Sequence, residues 1–546
     1  MKKMLCLFLL LSILLTACGT TPIAPVTEST ANTMETLPPP SEESTLPTEV
    51  YTSQSGVYVD FSAYTQGSVS LPSPIYTLPN GSNDQLPLSA PRALYPYAGS
   101  CLRNAYGYNQ GYLYGLTDSS GTLITLPIYT DIYPLYEHEA NASLPIWVVE
   151  KTEKSVQEWD GELYDSGERK LGLVAMDGSF VLDCIYSYIS LYSDRIICGR
   201  YVDSNTVRPI VEAYDAEGNL RFSTENYSFD SELRSCYATY GEGLYILSFR
   251  DTSPDAQEYD TLSYFVSEDG RIQYGPYYSA MPFHEGIAAV SFSFDQCTYL
   301  RRDGTLFPET YTYADSFQNG LAMITNEQWN NGLIDTEGNM YIVPAGGIIR
   351  TTDGAFIVSD RSESSTLPTC CYDKDGTFLW EITEEWTDIL SKDLFYHSDA
   401  YSTTVKSIST GKSLTLPVDA YVEYQPHSTD PYLVFYTHQW GEETLVHNIV
   451  TLDLEVFAKV KSQQMTLPEA VEVIGESYRG FSLRDGEKVT LYRSPNNPAG
   501  TFTIPKFSTA TLFPDGTVSF TLENYTEFYD KDGNLFLRYT FDPMDD

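Results

Sequence analysis

Residues 317–339 read FQNGLAMITNEQWNNGLIDTEGN. The stretch opens on an aromatic, turns at Gly320, runs apolar, and turns again at Glu337-Gly338. Both glycines recur at a fixed spacing in the flanking chain. Gly270 in SEDGRI, Gly304 in RRDGTL and Gly338 in DTEGNM stand 34 residues apart. Gly286 in FHEGIAAV, Gly320 in FQNGLAMI and Gly354 in TTDGAFIV are also 34 apart, each 16 residues after its partner. A proline six residues beyond the first glycine keeps step at Pro276 and Pro344, with Pro308 two positions early. Three landmarks in one register mark a structural repeat rather than a catalytic loop.

The register extends outward with decay. Gly121 is followed by Pro127 and Gly411 by Pro417 at the same offset, and Gly178 has Asp194 sixteen residues on. Further copies of the first turn stand at Gly218, Gly376, Gly486, Gly516 and Gly533. Roughly ten to twelve units would fill the chain. Gly121 to Gly178 spans 57 residues instead of 34, and the surplus falls in the segment ending KTEKSVQEWDGELYDSGERK.

Each landmark has a physical reason. Asp-Gly or Glu-Gly between apolar runs signals a tight hairpin, the glycine supplying a positive φ. A proline six residues later has no N–H to give and marks the end or edge of the returning strand. The strand after the second glycine alternates, so Ala288, Val290, Phe292 and Phe294 are expected on one side and Ser291 and Ser293 on the other. GTVSFTLEN repeats the pattern with Val518, Phe520 and Leu522. Helical periodicity is scarce; LPEAVEVIGESY near residue 470 is the best candidate. With 44 Tyr and 25 Phe the chain has a strand-former's inventory. The expected fold is all-β, a repeat of short antiparallel strands in which no unit buries its own core and each stacks on its neighbours. A β-propeller is preferred over an open β-solenoid, because closure hides sheet edges that a solenoid must cap. The closing segment TEFYDKDGNLFLRYTF is a candidate partner for the first strands after residue 55.

A unit reading Gly-Leu-Ile-Asp-x-x-Gly, a Pro near the end of the next strand, then Phe-x-x-Gly-Leu-Ala resembles the WG (KWG) repeat of bacterial proteins. Gly332-Leu333-Ile334-Asp335 through Gly338, with Phe317 to Ala322 before them, carries the resemblance, as does Tyr114 through Gly121. It is best over 260–345 and departs from the family at its namesake, since Trp-Gly occurs once, at Trp440-Gly441, out of register. The family has no catalytic residues to transfer, so the resemblance implies architecture and not activity.

The amino-terminal segment is a targeting signal by composition. Lys2 and Lys3 precede an apolar run from Leu5 to Leu15, and Leu15-Thr16-Ala17-Cys18 resembles the lipobox of bacterial lipoproteins. That resemblance implies that Cys18 carries the lipid anchor. It places the chain at the cell membrane, lipid-anchored on the extracytoplasmic face. Residues 19–55, rich in Ser, Thr, Pro and Glu, read as a disordered tether, and 56–546 as the repeat domain.

Asp and Glu total 74 against 32 Lys and Arg, a formal charge of −42. This balance excludes a nucleic-acid partner, whose phosphates demand cations, and leaves the lipid as the membrane contact. No Cys-x-x-Cys pair or His-Glu-x-x-His motif is present, and no metal or cofactor is expected. Cys184 and Cys198 lie in neighbouring strands of one unit and are a candidate disulfide. Cys370 and Cys371 are adjacent, and His438 and His447 flank a hairpin-like segment. Asp-Lys-Asp-Gly at 373–376 and 530–533 brings carboxylates together at a turn; its place in the repeat register favours a hairpin over a calcium loop.

Three function classes remain. A non-catalytic surface scaffold binding a protein or cell-wall glycan is preferred, since exposed tyrosines can stack on sugars or anchor protein contacts. A glycan hydrolase would need a carboxylate pair that the sequence does not single out. A solute-binding lipoprotein would need the helix–strand alternation of two α/β lobes, which is missing.

Overall fold

The computed structural model describes residues 51–53, 56–60 and most of 92–540, all within the unit Glu49–Asp546. Residues 1–50, 61–91, 541–546 and short internal stretches such as 360–368 and 423–430 lie outside that description, and Cys18 with them. Apart from one 3-10 turn at Thr224–Asn226, every regular element among the described residues is a strand. The strands form eleven small sheets. Seven are four-stranded antiparallel meanders of consecutive strands, over 131–186, 188–223, 239–277, 313–343, 347–382, 387–417 and 420–462.

The sheets stack face to face, and the sequence shows why. Ile287 and Ala289 enter one core with Ala322, Ile324 and Ile334 of the following sheet. Ala288 and Val290, one residue out of phase, enter another with Ile246 and Phe265 of the preceding sheet. A strand covered on both faces reads as a continuous apolar run, because consecutive side chains serve opposite cores. This corrects the expected alternation, in which Phe292 and Phe294 joined Ala288 and Val290. Phe292 is 45 % and Phe294 74 % exposed. The pairing shifts between Ser291 and Ser293, and the strand there has run past the stacked region.

The first stacked sheet meets the last. Tyr95 and Tyr97, in the strand Leu94–Arg103, share a core with Phe513, Phe528, Leu537 and Tyr539. The Tyr95 hydroxyl donates to Asp515 Oδ2 at 2.6 Å, and the Tyr97 and Tyr539 rings stack at 5.1 Å. Gly56–Asp60 adds in parallel to Leu535–Thr540, with Val57 opposite Leu537. The series therefore closes on itself as a β-propeller, as the segment TEFYDKDGNLFLRYTF suggests; an open solenoid would leave both end sheets uncovered.

Local expectations fare unevenly. Gly121, Gly178, Gly270, Gly286, Gly304, Gly320 and Gly338 all sit at φ between +70° and +96°. Gly354 and Gly376 lie outside the described residues. At Gly270 the glycine is doubly required, since an added Cβ would also meet the Tyr227 ring at 2.2 Å. Pro276 falls in the edge strand Ile272–Tyr277 and Pro417 ends the edge strand Ser413–Pro417, where a missing N–H is tolerated. The surplus before Gly178 becomes a two-stranded extension, Lys151 opposite Lys170 out to Trp159 opposite Glu162. Two expectations are corrected. Residues near 470 form the strand Ala470–Val473, not a helix, because Val471 and Val473 enter one core at the strand period of two. Tyr51–Ser53 is a strand inside the expected tether.

Candidate functional site

The turns are built by side chains from the repeat itself. Asp530 Oδ1 accepts the N–H groups of Asp532 and Asn534 at 2.9 and 2.8 Å, while Gly533 donates to the Asp530 carbonyl. Asp335 does the same for Glu337 and Asn339, and Asp118 for Ser120 and Thr122. Burial alone would raise the Asp118 carboxyl. The Ser120 hydroxyl and the Arg92 guanidinium overcome it and hold the group below the ordinary range. Carboxylate oxygens spent on turn N–H groups are poor calcium ligands, and among the described residues no three metal-ligating side chains converge.

Successive turns are also tied to each other. Glu242 accepts the Gly286 N–H at 3.1 Å, and Glu285 accepts the Gly320 N–H at 2.7 Å. Glu242 and Glu285 themselves sit at φ +48° and +55°, the left-handed region that two-residue hairpin turns demand.

At the other end of these hairpins, aromatic side chains face solvent. Phe292 and Phe294 stand at the tip between Ile287–Ser293 and Gln296–Arg301. Trp329 stands at the equivalent tip of the next sheet, between Leu321–Thr325 and Asn331–Asp335. Tyr278, whose N–H donates to the Ser291 carbonyl, and Tyr313, opposite Thr325, flank the same tips. Trp329 is 75 % exposed, yet it occupies φ +62°. Asn326 builds this turn as Asp335 builds the next, accepting from Gln328 and Asn330, so Trp329 stands where Gly338 stands one turn later. A bulky side chain in that conformation costs about 1 kcal/mol, and exposure returns no packing. Sequence reasoning passed over Trp329; aligning Asn326-x-x-Trp329-Asn330 with Asp335-x-x-Gly338-Asn339 was the available signal.

The other candidates are structural. Cys184 and Cys198 are free thiols. Cys184 packs toward the core of Tyr129 and Val149, whereas Cys198 faces the core of Leu173 and Leu191 on the opposite side of the 131–186 sheet. The expected disulfide is thereby corrected. Cys371 is buried and Cys370 half-buried, on opposite faces of Thr369–Tyr372. His447 is fully buried, bonded through Nε2 to the Gln464 carbonyl, and pairs across the sheet with Tyr436 rather than His438. Trp440-Gly441 lies outside the described residues. A buried carboxylate cluster exists at Glu212. Oε2 accepts from the Tyr186 and Tyr214 hydroxyls at 2.5 and 3.0 Å, and Oε1 from Arg200, which also reaches Glu225 at 3.1 Å. Both oxygens are engaged by these hydrogen bonds, which hold the Glu212 carboxylate within the fold.

No family model and no curated protein matches the chain. Among solved structures, one titled as the eukaryotic initiation factor is similar over 68 % of this chain and 97 % of its own, at 10 % identity and TM-score 0.35. BamB from Moraxella catarrhalis is similar over 63 % and 94 %, at 8 % identity and TM-score 0.25. Hsv2p of Kluyveromyces lactis is similar over 46 % and 74 %, at 10 % identity and TM-score 0.19. The fold assignment rests on the strand order and shared cores.

Proposed function

We propose that this chain is a non-catalytic β-propeller scaffold, lipid-anchored at Cys18 on the extracytoplasmic face of the cell membrane. It has divergent WG repeats and binds a protein or cell-wall glycan ligand at the hairpin tips of the sheets over 279–301 and 313–343. Trp329 carries the reading: an exposed indole held in a conformation that favours glycine serves neither packing nor turn formation, and strain of that kind is retained where it does something else. Phe294, exposed on the neighbouring tip, adds a second flat apolar face. Indole and phenyl faces suit sugar rings and apolar protein anchors alike. The hydrolase reading has less behind it: the buried carboxylates of Glu212, Asp215 and Glu527 are each held by hydrogen bonds within the fold.

The test is a binding screen of the full chain, in mild detergent, against cell-wall glycans and envelope extract, with hydrolysis products followed in the same samples. Saturable binding without turnover, lost in Trp329→Gly and Phe294→Ser, is the expected result. Binding unaffected by both substitutions would sink the site; product release would sink the non-catalytic reading.

A further inference from the structure

Four successive crossovers between sheets put a tyrosine at the tip end of the stack. Tyr188 pairs with Gly199, the fifth residue of the strand Arg195–Tyr201. Tyr313 holds the same position opposite Thr325, the fifth residue of Leu321–Thr325. Tyr278 donates its N–H to the Ser291 carbonyl, beside the tip that carries Phe294. Tyr237 precedes the strand Thr239–Gly241 and meets the Tyr188 ring edge-on at 4.6 Å. Tyr237, Tyr278 and Tyr313 are exposed, as are Phe294 and Trp329. Stacked sheets lie roughly 10 Å apart, so a ligand that touches Tyr188 and Trp329 must extend on the order of 20–30 Å. That length fits an extended chain rather than a single small molecule.

Charge is divided between the two ends of these sheets. Between residues 279 and 343 the basic side chains are Arg301 and Arg302. Both stand at the turn of Gly304, away from the tips, and each already covers a ring, Phe307 at 4.3 Å and Phe283 at 4.9 Å. The tips carry Asp295 beside Phe294 and Glu327 two residues before Trp329, both exposed. The preceding tip, over 251–260, holds Asp251, Asp255, Glu258 and Asp260, with Arg250 flanking it. The 279–301 and 313–343 sheets thus supply their tips with aromatic faces and carboxylates, and with no cation of their own.

We propose that the occupant of this face is an extended protein segment bearing lysine or arginine, laid across the tips with its cationic side chains over Trp329, Phe294 and the crossover tyrosines. The inference rests on the tip site proposed above and names the chemistry of its partner. Ring faces attract a cation through their quadrupole, and Asp295 and Glu327 add the opposite charge. Alternate side chains of an extended segment point the same way about 7 Å apart, so one such segment presents a row of cations to a row of rings. A neutral glycan can stack on the rings but gains no Coulomb attraction from the carboxylates, and an anionic one is repelled.

The experiment uses the full chain in mild detergent with fluorescent peptides of about nine residues, the extended length of the site. One peptide alternates arginine with serine, one alternates glutamate with serine, and neutral cell-wall glycan chains are tested beside them. Binding of the arginine peptide and not the glutamate peptide is expected, weakened about twofold to fivefold by Trp329→Gly. Asp295→Asn combined with Glu327→Gln should weaken it severalfold. Glu217→Gln combined with Glu337→Gln makes the same change of charge at exposed turns on the opposite face and should leave binding unaltered. Equal losses in the two pairs would overturn the proposal, because the net charge of the chain would then hold the peptide. Glycan binding lost in Trp329→Gly, with peptide binding indifferent to it, would overturn the partner and keep the tip site. If neither probe responds to Trp329→Gly, both the partner and the site are overturned.

Discussion

The Glu285 carboxylate accepts the backbone N–H of Gly320 at 2.7 Å, so the turn that opens one repeat is fastened by the turn of the repeat before it. Glu242 repeats the relationship with Gly286. Glu285 sits at φ +55°, so two substitutions separate its two contributions. Glu285→Ala loses the bond and keeps the strained backbone, and it is expected to lower stability by about 1 kcal/mol. Glu285→Gly loses the same bond but relieves the strain, and it should cost clearly less. Urea midpoints of the two variants make the comparison; equal losses would show that the backbone conformation is not strained.

Trp329→Gly is expected to raise stability by about 0.5–1 kcal/mol, because glycine adopts φ +62° freely and an exposed indole contributes no burial. Ligand binding should fall in the same variant. A stabilised protein that still binds would separate the strain from the function.

Closure of the series depends on Tyr95. Its hydroxyl meets both Asp515 and Thr517, which lie at the far end of the chain. Tyr95→Phe removes these bonds while keeping the ring against Phe513, and a loss of about 1–2 kcal/mol is expected. Hydrogen exchange should rise together in 94–118 and 509–540. A rise confined to one of the two would argue against closure at this contact.

Stability should depend on pH at both extremes. Burial opposes ionisation of Asp118, Asp215 and Asp530, but hydrogen bonds from their turns outweigh it and lower all three. A lowered folded pKa contributes in full above the unfolded value, about 3.9, and is lost as pH falls through the folded one. Burial raises Tyr129, Tyr186 and Tyr529, so their contribution is complete below about pH 10 and is lost as pH rises beyond it. Urea midpoints should therefore be level on these accounts from pH 5 to 9 and fall on either side. A midpoint unchanged from pH 5 down to 2 would contradict the role given to the turn aspartates.

Much of the architecture was legible because it is local. A glycine that needs a positive φ announces a hairpin wherever it stands, and 34-residue spacing makes Gly270, Gly304 and Gly338 one feature. Pairing of the last strand with the first was legible from the strand character of the closing residues. Both-face burial was not, because strict alternation presumes one wet face, while Ile287 through Val290 serve two cores in turn. Cys184 and Cys198 are close in sequence, but which core each faces is a tertiary fact. Trp329 was missed for another reason: it breaks the glycine rule, and a search for glycines passes over the exception.

The parallel pairing of Gly56–Asp60 with Leu535–Thr540 has a mechanical meaning. A pull on the chain ahead of Tyr51 first opens the antiparallel hairpin of Tyr51–Ser53 with Gly56–Asp60. After that, with the carboxyl-terminal strand held, the load on Gly56 runs along the strand axis. The pairs from Val57–Leu537 to Asp60–Thr540 are then sheared as a group instead of peeling one by one. The propeller is thus loaded at its clasp in the geometry where a short ladder resists force best, and a break there would release the amino-terminal strand before any stacked sheet came apart.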